Sequence, residues 1–400
     1  MTTVAIISEY NPFHSGHQFQ IDEIRREFGS DTAIVAIMSG NYTQRGDVAF
    51  INKGARAKCA VLGGIDLVLE LPFPYSSSSA EIFAKSGVKI ADSIGIIDYL
   101  SFGSESGDID ELKYAAEIIS SDEYTAAFHA LSNSRSMGYP ERCEAAFRAV
   151  TNDSQLTFTP NNILAIEYIR AIKSFGSSIK PHTVKRIGAG YSDKNIDTFS
   201  HNSAYAIRNA FTNEGKEAFR LFPDTSLEVL EPLYNDGDFP CDLSRISSAI
   251  ISHLRINPPY DSVTYHDAND GLYNRLYNAS FEANNISELL MLSETKNYTR
   301  ARIKRALINI FFGVTSSDCK TLPAFTQVLG MNGIGMHLLK NSVVADGFKI
   351  LTKPSNLRGL SDVAMRQKRL SDMADSVFEL TKPEPKSGNS ALKFTPYIKK

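Results

Sequence analysis

The first hundred residues alternate short β-branched runs with stretches of helical periodicity, and few folds accept that alternation. Val4–Ser8, Asp31–Met38, Leu67–Leu71 and Tyr99–Phe102 read as strands. Between them, helices are predicted from about His17 to Phe28, Lys53 to Gly63 and Ser79 to Ser93, the last with Ser76 to Ser79 as N-cap candidates and Glu81 in its first turn. Strand and helix at this spacing imply parallel βαβ units, with helices on both faces of the sheet. Ligands of such sheets sit beyond the carboxyl ends of the strands. The loops there are Ser8–His17, Ser39–Asp47, Pro72–Ser79 and Gly103–Gly107, and they hold most of the unusual polar chemistry of the first half.

A further helix, Asn162 to Phe175, leads to the extended segment Thr183–Ile187. Past about residue 215 the pattern turns mostly helical, with Asp242–Arg255, Ile286–Leu292, Tyr298–Phe312 and Ser361–Leu380, and Thr381–Asn389 reads as a linker or tail. A chain of 400 residues is long enough for two or three domains. The expected division is a nucleotide-binding α/β domain over 1–215 and a mainly helical domain over 216–400.

Hydrophobic residues at 42% and charged residues at 22% fit a globular protein rather than a disordered one. No apolar stretch is long enough for a membrane span, and the start of the chain has neither a basic region nor a cleavage site. The four cysteines, Cys59, Cys143, Cys241 and Cys319, form no CxxC pair, which argues against a zinc or disulfide framework and suits a reducing cytoplasm. The net charge of −3 hides a skew, with residues 281–400 at +8 and the remainder at −11. A basic end on an acidic chain suggests a polyanionic partner docking there.

The first loop carries the strongest chemical signal. His14 and His17 flank Ser15-Gly16 directly after a buried strand and before a helix. Glycine admits a ligand close to the backbone, and a helix start offers unpaired N–H groups and a positive dipole end. Two imidazoles there can donate hydrogen bonds to phosphate oxygens as charge develops in nucleotidyl transfer. The alternative is that both rings are cap and loop residues with structural duties.

The strand–NPF–HxGH–helix opening resembles the nucleotidyltransferases related to class I aminoacyl-tRNA synthetases, the HUP fold, a Rossmann-like parallel sheet. More narrowly, IISEYNPFHSGHQ, MSGNYTQRGD, LVLELPFPYSSSSAEIFA, FGSES, TPNNILAIEYIRAI and VKRIGAGYSD, in that order, resemble the tRNA(Met) cytidine acetate ligase family, and YTRARIKRALINIFFGV extends the likeness more loosely. The resemblance implies that acetate attacks the α-phosphate of ATP, giving acetyl-adenylate and pyrophosphate. The acetyl group then passes to the exocyclic amine of the wobble cytidine of elongator tRNA(Met).

Mapped onto this chain, the resemblance makes Ile7, Ser8, Glu9, Tyr10, Asn11, Pro12, Phe13, His14, Ser15, Gly16, His17, Gln18, Phe19 and Gln20 an ATP-binding loop. His14 and His17 would act on the phosphates. Gly103 would leave room for the adenosine, Asn162 would be a polar ATP contact with Asn161 as its alternative, and Arg186 with Ile187 would lie near phosphate. Mg2+ is expected with ATP on chemical grounds, although no dedicated ligand set is visible.

Other blocks leave two readings open. Gln44-Arg45-Gly46-Asp47 and Lys53 could bind substrate or be structural. Glu70, inside the apolar run LVLELP, needs a partner, with Arg56 and Lys53 the candidates. The helix Tyr298–Phe312 pairs an apolar stripe of Ile303, Leu307, Ile310 and Phe311 with a basic side of Arg300, Arg302, Lys304 and Arg305. Such a helix can hold an RNA backbone by charge, or simply be solvated.

Overall fold

The computed structural model describes residues 1–131, 138–151, 156–186, 203–259, 263–269, 271–296, 298–353 and 356–400. Its centre is an eight-stranded sheet. In chain order the elements that position the site are β1 (Thr3–Ser8), α1 (Ser15–Phe28), β2 (Ala33–Ser39), α2 (Lys53–Leu62), β3 (Leu67–Leu71), α3 (Ala80–Ser93), β4 (Tyr99–Ser104), α4 (Pro160–Phe175) and β5 (Lys180–Lys185). From the C-terminal region come α5 (Arg300–Phe312), β6 (Phe325–Met331), β7 (Lys349–Leu351), α6 (Asp362–Phe378) and β8 (Tyr397–Ile398).

The strand order is β8-β6-β3-β2-β1-β4-β5, with β7 also paired to β6. β1 lies between β2 and β4 with both pairings parallel, and β2–β3 and β4–β5 continue in parallel on either side. The chain therefore winds outward from β1 in both directions. The crevice between the loops after β1 and β4 is the topological switch point, where sheets of this kind bind ligands. All seven residues of β2 and all five of β3 are buried, as expected of strands covered by helices on both faces.

The α/β expectation holds, and so does the mainly helical character of the C-terminal region. Local patterning did not reveal that this region returns to the sheet. β6 pairs antiparallel with β3, and β8 then pairs parallel with β6. One hydrophobic cluster runs from Val4 and Ile6 of β1 through Ile303 and Leu307 of α5 to Phe378 of α6.

The segment from Thr381, read as linker or tail, is packed at its start. Thr381 is fully buried, and Lys382 forms ion pairs with Asp238 and Glu379. The four cysteines are all free and buried. Among the described residues no helix is long and apolar enough to cross a membrane.

Candidate active site

α1 starts at Ser15, two residues earlier than its periodicity suggests, because His14 and His17 cap it themselves. His14 is the N-cap in extended conformation, and its Nδ1 accepts from Gly16 N–H at 3.0 Å. His17 Nδ1 accepts from His14 N–H at 3.3 Å, which closes a capping box built from two imidazoles. The capping and phosphate readings are thus compatible. A neutral ring whose Nδ1 accepts must carry its proton on Nε2, so the cap fixes both rings as Nε2–H donors.

The two rings lie 3.9 Å apart between centroids. Burial, reinforced by His14 and then Arg186, holds His17 well below the ordinary histidine range and keeps it neutral. The result is a pair of fixed N–H donors at a helix N-terminus, a geometry suited to phosphate oxygens.

The rest of the first loop is held from several sides. Ile7 and Ser8 end β1. Tyr10 has φ 44°, a left-handed conformation uncommon for an aromatic residue, and its ring packs on Phe13 and His17. Asn11 Oδ1 accepts from Phe50 N–H at 2.7 Å, and the Asn11 carbonyl accepts from Arg208. Ser15, Gly16, Gln18, Phe19 and Gln20 form the first turns of α1, where Gln18 bonds to Asp22 and Gln20 reaches the Ser101 carbonyl at 3.4 Å.

Arg56, a candidate partner for Glu70, instead acts as a rivet. Its buried guanidinium donates to the carbonyls of Ile51, Glu9, Ser39 and Gly40, tying the loops after β1 and β2 together. Burial brings it down to about 10.

Gly103 lies near the end of β4, and a Cβ placed there would meet Arg186 Cγ at 3.2 Å. Arg186 itself is exposed, and its charge is felt at His17, so His17, Gly103 and Arg186 converge on the switch point. Asn162 is buried, and its amide clamps the following loop. Oδ1 accepts from Glu105 N–H at 3.0 Å and Ser106 N–H at 3.2 Å, while Nδ2 donates to the Thr157 carbonyl. Asn161 bonds to the Glu105 carboxylate. Ile187 and the residues of its motif that follow it lie outside the described residues.

Glu70 finds Lys53, whose Nζ donates to Glu70 Oε1 at 2.7 Å and Oε2 at 2.8 Å. A third member was not apparent in the sequence. Asp375 of α6 also binds Lys53, and it accepts from Asn41 Nδ2 at 2.9 Å. Burial alone would lower the Lys53 ammonium, but Asp375 and Glu70 overcome this and raise it above its ordinary value. Burial raises Glu70, with Lys53 offsetting part of the effect.

The Gln44–Asp47 block is the turn of a hairpin between Tyr42–Thr43 and Asp47–Val48. Gln44 N–H donates to Glu9 Oε1 at 2.8 Å, and the far side of the hairpin rests on α5. Gly46 has φ 71°, and a Cβ there would fall 2.3 Å from Arg305 N, so only glycine fits this contact.

The cations of α5 have partners within the chain. Arg300 pairs with Glu294, Lys304 with Asp47 and Arg305 with Asp267, while Arg302 donates to Asn269 and lies over the Tyr298 ring. Arg300 is the most open of the three ion-paired cations, with 54% of its side chain exposed.

With a parallel sheet, a switch-point crevice and an imidazole-capped helix in place, comparison with known proteins becomes informative. Residues 1–391 match the family model described as HIGH Nucleotidyl Transferase. The chain is 36% identical over 379 residues to the tRNA(Met) cytidine acetate ligase of Thermoanaerobacter sp. (strain X514), covering 92% of this chain and 93% of the relative. The chain belongs to this family. The Acetivibrio thermocellus protein of the same name is 34% identical over 414 residues, covering 100% and 99% of the two chains.

The family likeness extends to three dimensions. The apo crystal structure of Thermotoga maritima TmcAL superposes with a TM-score of 0.90 at 27% identity, covering 100% of this chain and 99% of that one. A second structure of that protein, bound with alpha-thio ATP, gives a TM-score of 0.87 at 26% identity with the same coverage.

Proposed function

We propose that the protein is an ATP-dependent acetate–tRNA ligase. It would join acetate to ATP as acetyl-adenylate with release of pyrophosphate, then transfer the acetyl group to N4 of the wobble cytidine of elongator tRNA(Met). The observation that carries this reading is the imidazole-capped start of α1 at the switch point, in a chain whose family members bear that name. Acetate is a poor acyl donor until its oxygen becomes part of a good leaving group, and a cytosine amine is a weak nucleophile. ATP activation overcomes both difficulties.

On this reading the loop from Ile7 to Gln20, with Gly103 and Arg186, receives ATP. The Nε2–H groups of His14 and His17 meet the phosphate oxygens on which charge grows. Asn162 contributes by holding the Glu105–Ser106 loop in place. Among the described residues no cluster of three or more His, Cys, Asp or Glu side chains is placed to hold a metal. Mg2+ arriving with ATP would be held by phosphate oxygens and water with at most one or two protein carboxylates, as is common for this ion. The four free, buried cysteines fit a reducing cytoplasm.

We assign tRNA docking to the 216–400 region, with Arg300 the most open of the ion-paired α5 cations and Lys304 held by Asp47 beside it. The test is purified protein with ATP, radiolabelled acetate and bulk tRNA. Label in tRNA supports the ligase, whereas pyrophosphate release that requires another acceptor supports a small-molecule adenylyltransferase. Replacing Arg300 and Lys304 together by alanine is expected to weaken tRNA binding and to flatten the log–log salt slope by about 1 to 2. An unchanged slope would remove α5 from the interface.

A further inference from the structure

Transfer of an acyl group to an amine releases a proton, and the structure narrows which group can take it. His14 and His17 cannot, because their Nδ1 lone pairs cap α1 and their Nε2 atoms already carry hydrogen. Glu70 and Asp375 are buried against Lys53. The Glu105 carboxylate is filled by Thr159, Asn161 and the N–H of Asn162 at the start of α4. Asp47 is engaged by Lys304 and by its neighbour's N–H.

Glu9 remains. It opens the loop that leads to His14, is half-buried, and is held at two points. Its Oε1 accepts from Gln44 N–H at 2.8 Å, and its main-chain carbonyl accepts from Arg56 Nη1 at 2.6 Å. Oε2 has no hydrogen-bond partner among the described residues. The charge of this carboxylate is felt at Arg56 on α2 and at Tyr168 on α4.

We propose that the Glu9 carboxylate receives the proton of the acceptor amine, with the Gln44–Asp47 hairpin holding it in place. The inference rests on the ligase reading. The amine nitrogen forms a bond to the acetyl carbon, and the bond from that carbon to the adenylate oxygen breaks. The electron pair leaves with AMP, and the proton on nitrogen passes to Glu9 Oε2.

Glu9→Gln tests this, because a glutamine oxygen still accepts from Gln44 N–H and keeps the hairpin docked. Both steps are measured on the full chain with ATP, labelled acetate and tRNA, as pyrophosphate release and as label reaching tRNA. The ratio of transfer to activation is expected to fall by roughly 10²-fold, the low end for general-base assistance. If wild-type protein labels tRNA and the variant keeps the ratio, Glu9 is not the base. If wild-type protein leaves tRNA unlabelled, the ligase reading fails and Glu9's role fails with it.

Discussion

His17→Ala is expected to lower acetate-dependent pyrophosphate release by about 10² to 10³-fold, the usual cost of removing one preorganised donor from a developing charge. The argument turns on Nε2. The cap fixes the proton there, and the depressed basicity of His17 keeps the ring uncharged. A group held below its ordinary range protonates only when the pH falls through that lowered value. Its donor role is therefore constant from pH 6.5 upward, and a rate loss near pH 6.5 in the wild-type enzyme must come from another group. Loss of the cap interaction costs about 0.5–2 kcal/mol of stability, too little to unfold a typical protein. Binding of tRNA should stay nearly intact. A decrease below tenfold, or tRNA affinity collapsing along with the rate, would contradict the assignment.

Lys53→Met should be the most destabilising single change in the sheet's active end, by about 3–5 kcal/mol in denaturant titrations near neutral pH. Methionine fills the space but leaves Glu70 and Asp375 as neighbouring buried carboxylates with no cation between them. Glu70 is already raised by burial in the wild-type protein, so the folded state binds its proton more readily than the unfolded chain does. The sign follows by linkage: stability from this group is present at low pH and is lost as pH rises through the folded-state value. Without Lys53 that value rises further, so the deficit should shrink on acidification. A deficit independent of pH would show that the triad is not the cause.

What could be read from the sequence followed the range of the interactions concerned. β1, β2, β3 and β4 and the helices between them were visible because each is defined by its own periodicity. The HxGH loop was visible because glycine and two histidines between a strand and a helix are rare locally. The dual task of the histidines was not, since periodicity marks a helix body rather than its cap. β6 was missed because its partner strand is β3, far upstream, and nothing within Phe325–Met331 announces that pairing. Asp375 was missed for the same reason. The charges of Lys304 and Arg305 were plain, but their partners Asp47 and Asp267 belong to distant segments, so a face read as open proved to be compensated.

The antiparallel seam between β3 and β6 has a consequence for biogenesis. A ribosome has made every parallel strand from β1 to β5 long before Phe325 emerges. Until then Leu67–Leu71 presents a bare, apolar backbone edge of the kind that recruits other chains. The nascent protein must keep that edge from intermolecular pairing while more than half of the polypeptide is still being extended. Shielding of that edge during translation would therefore matter more for this enzyme than for one whose sheet closes within its own amino-terminal half.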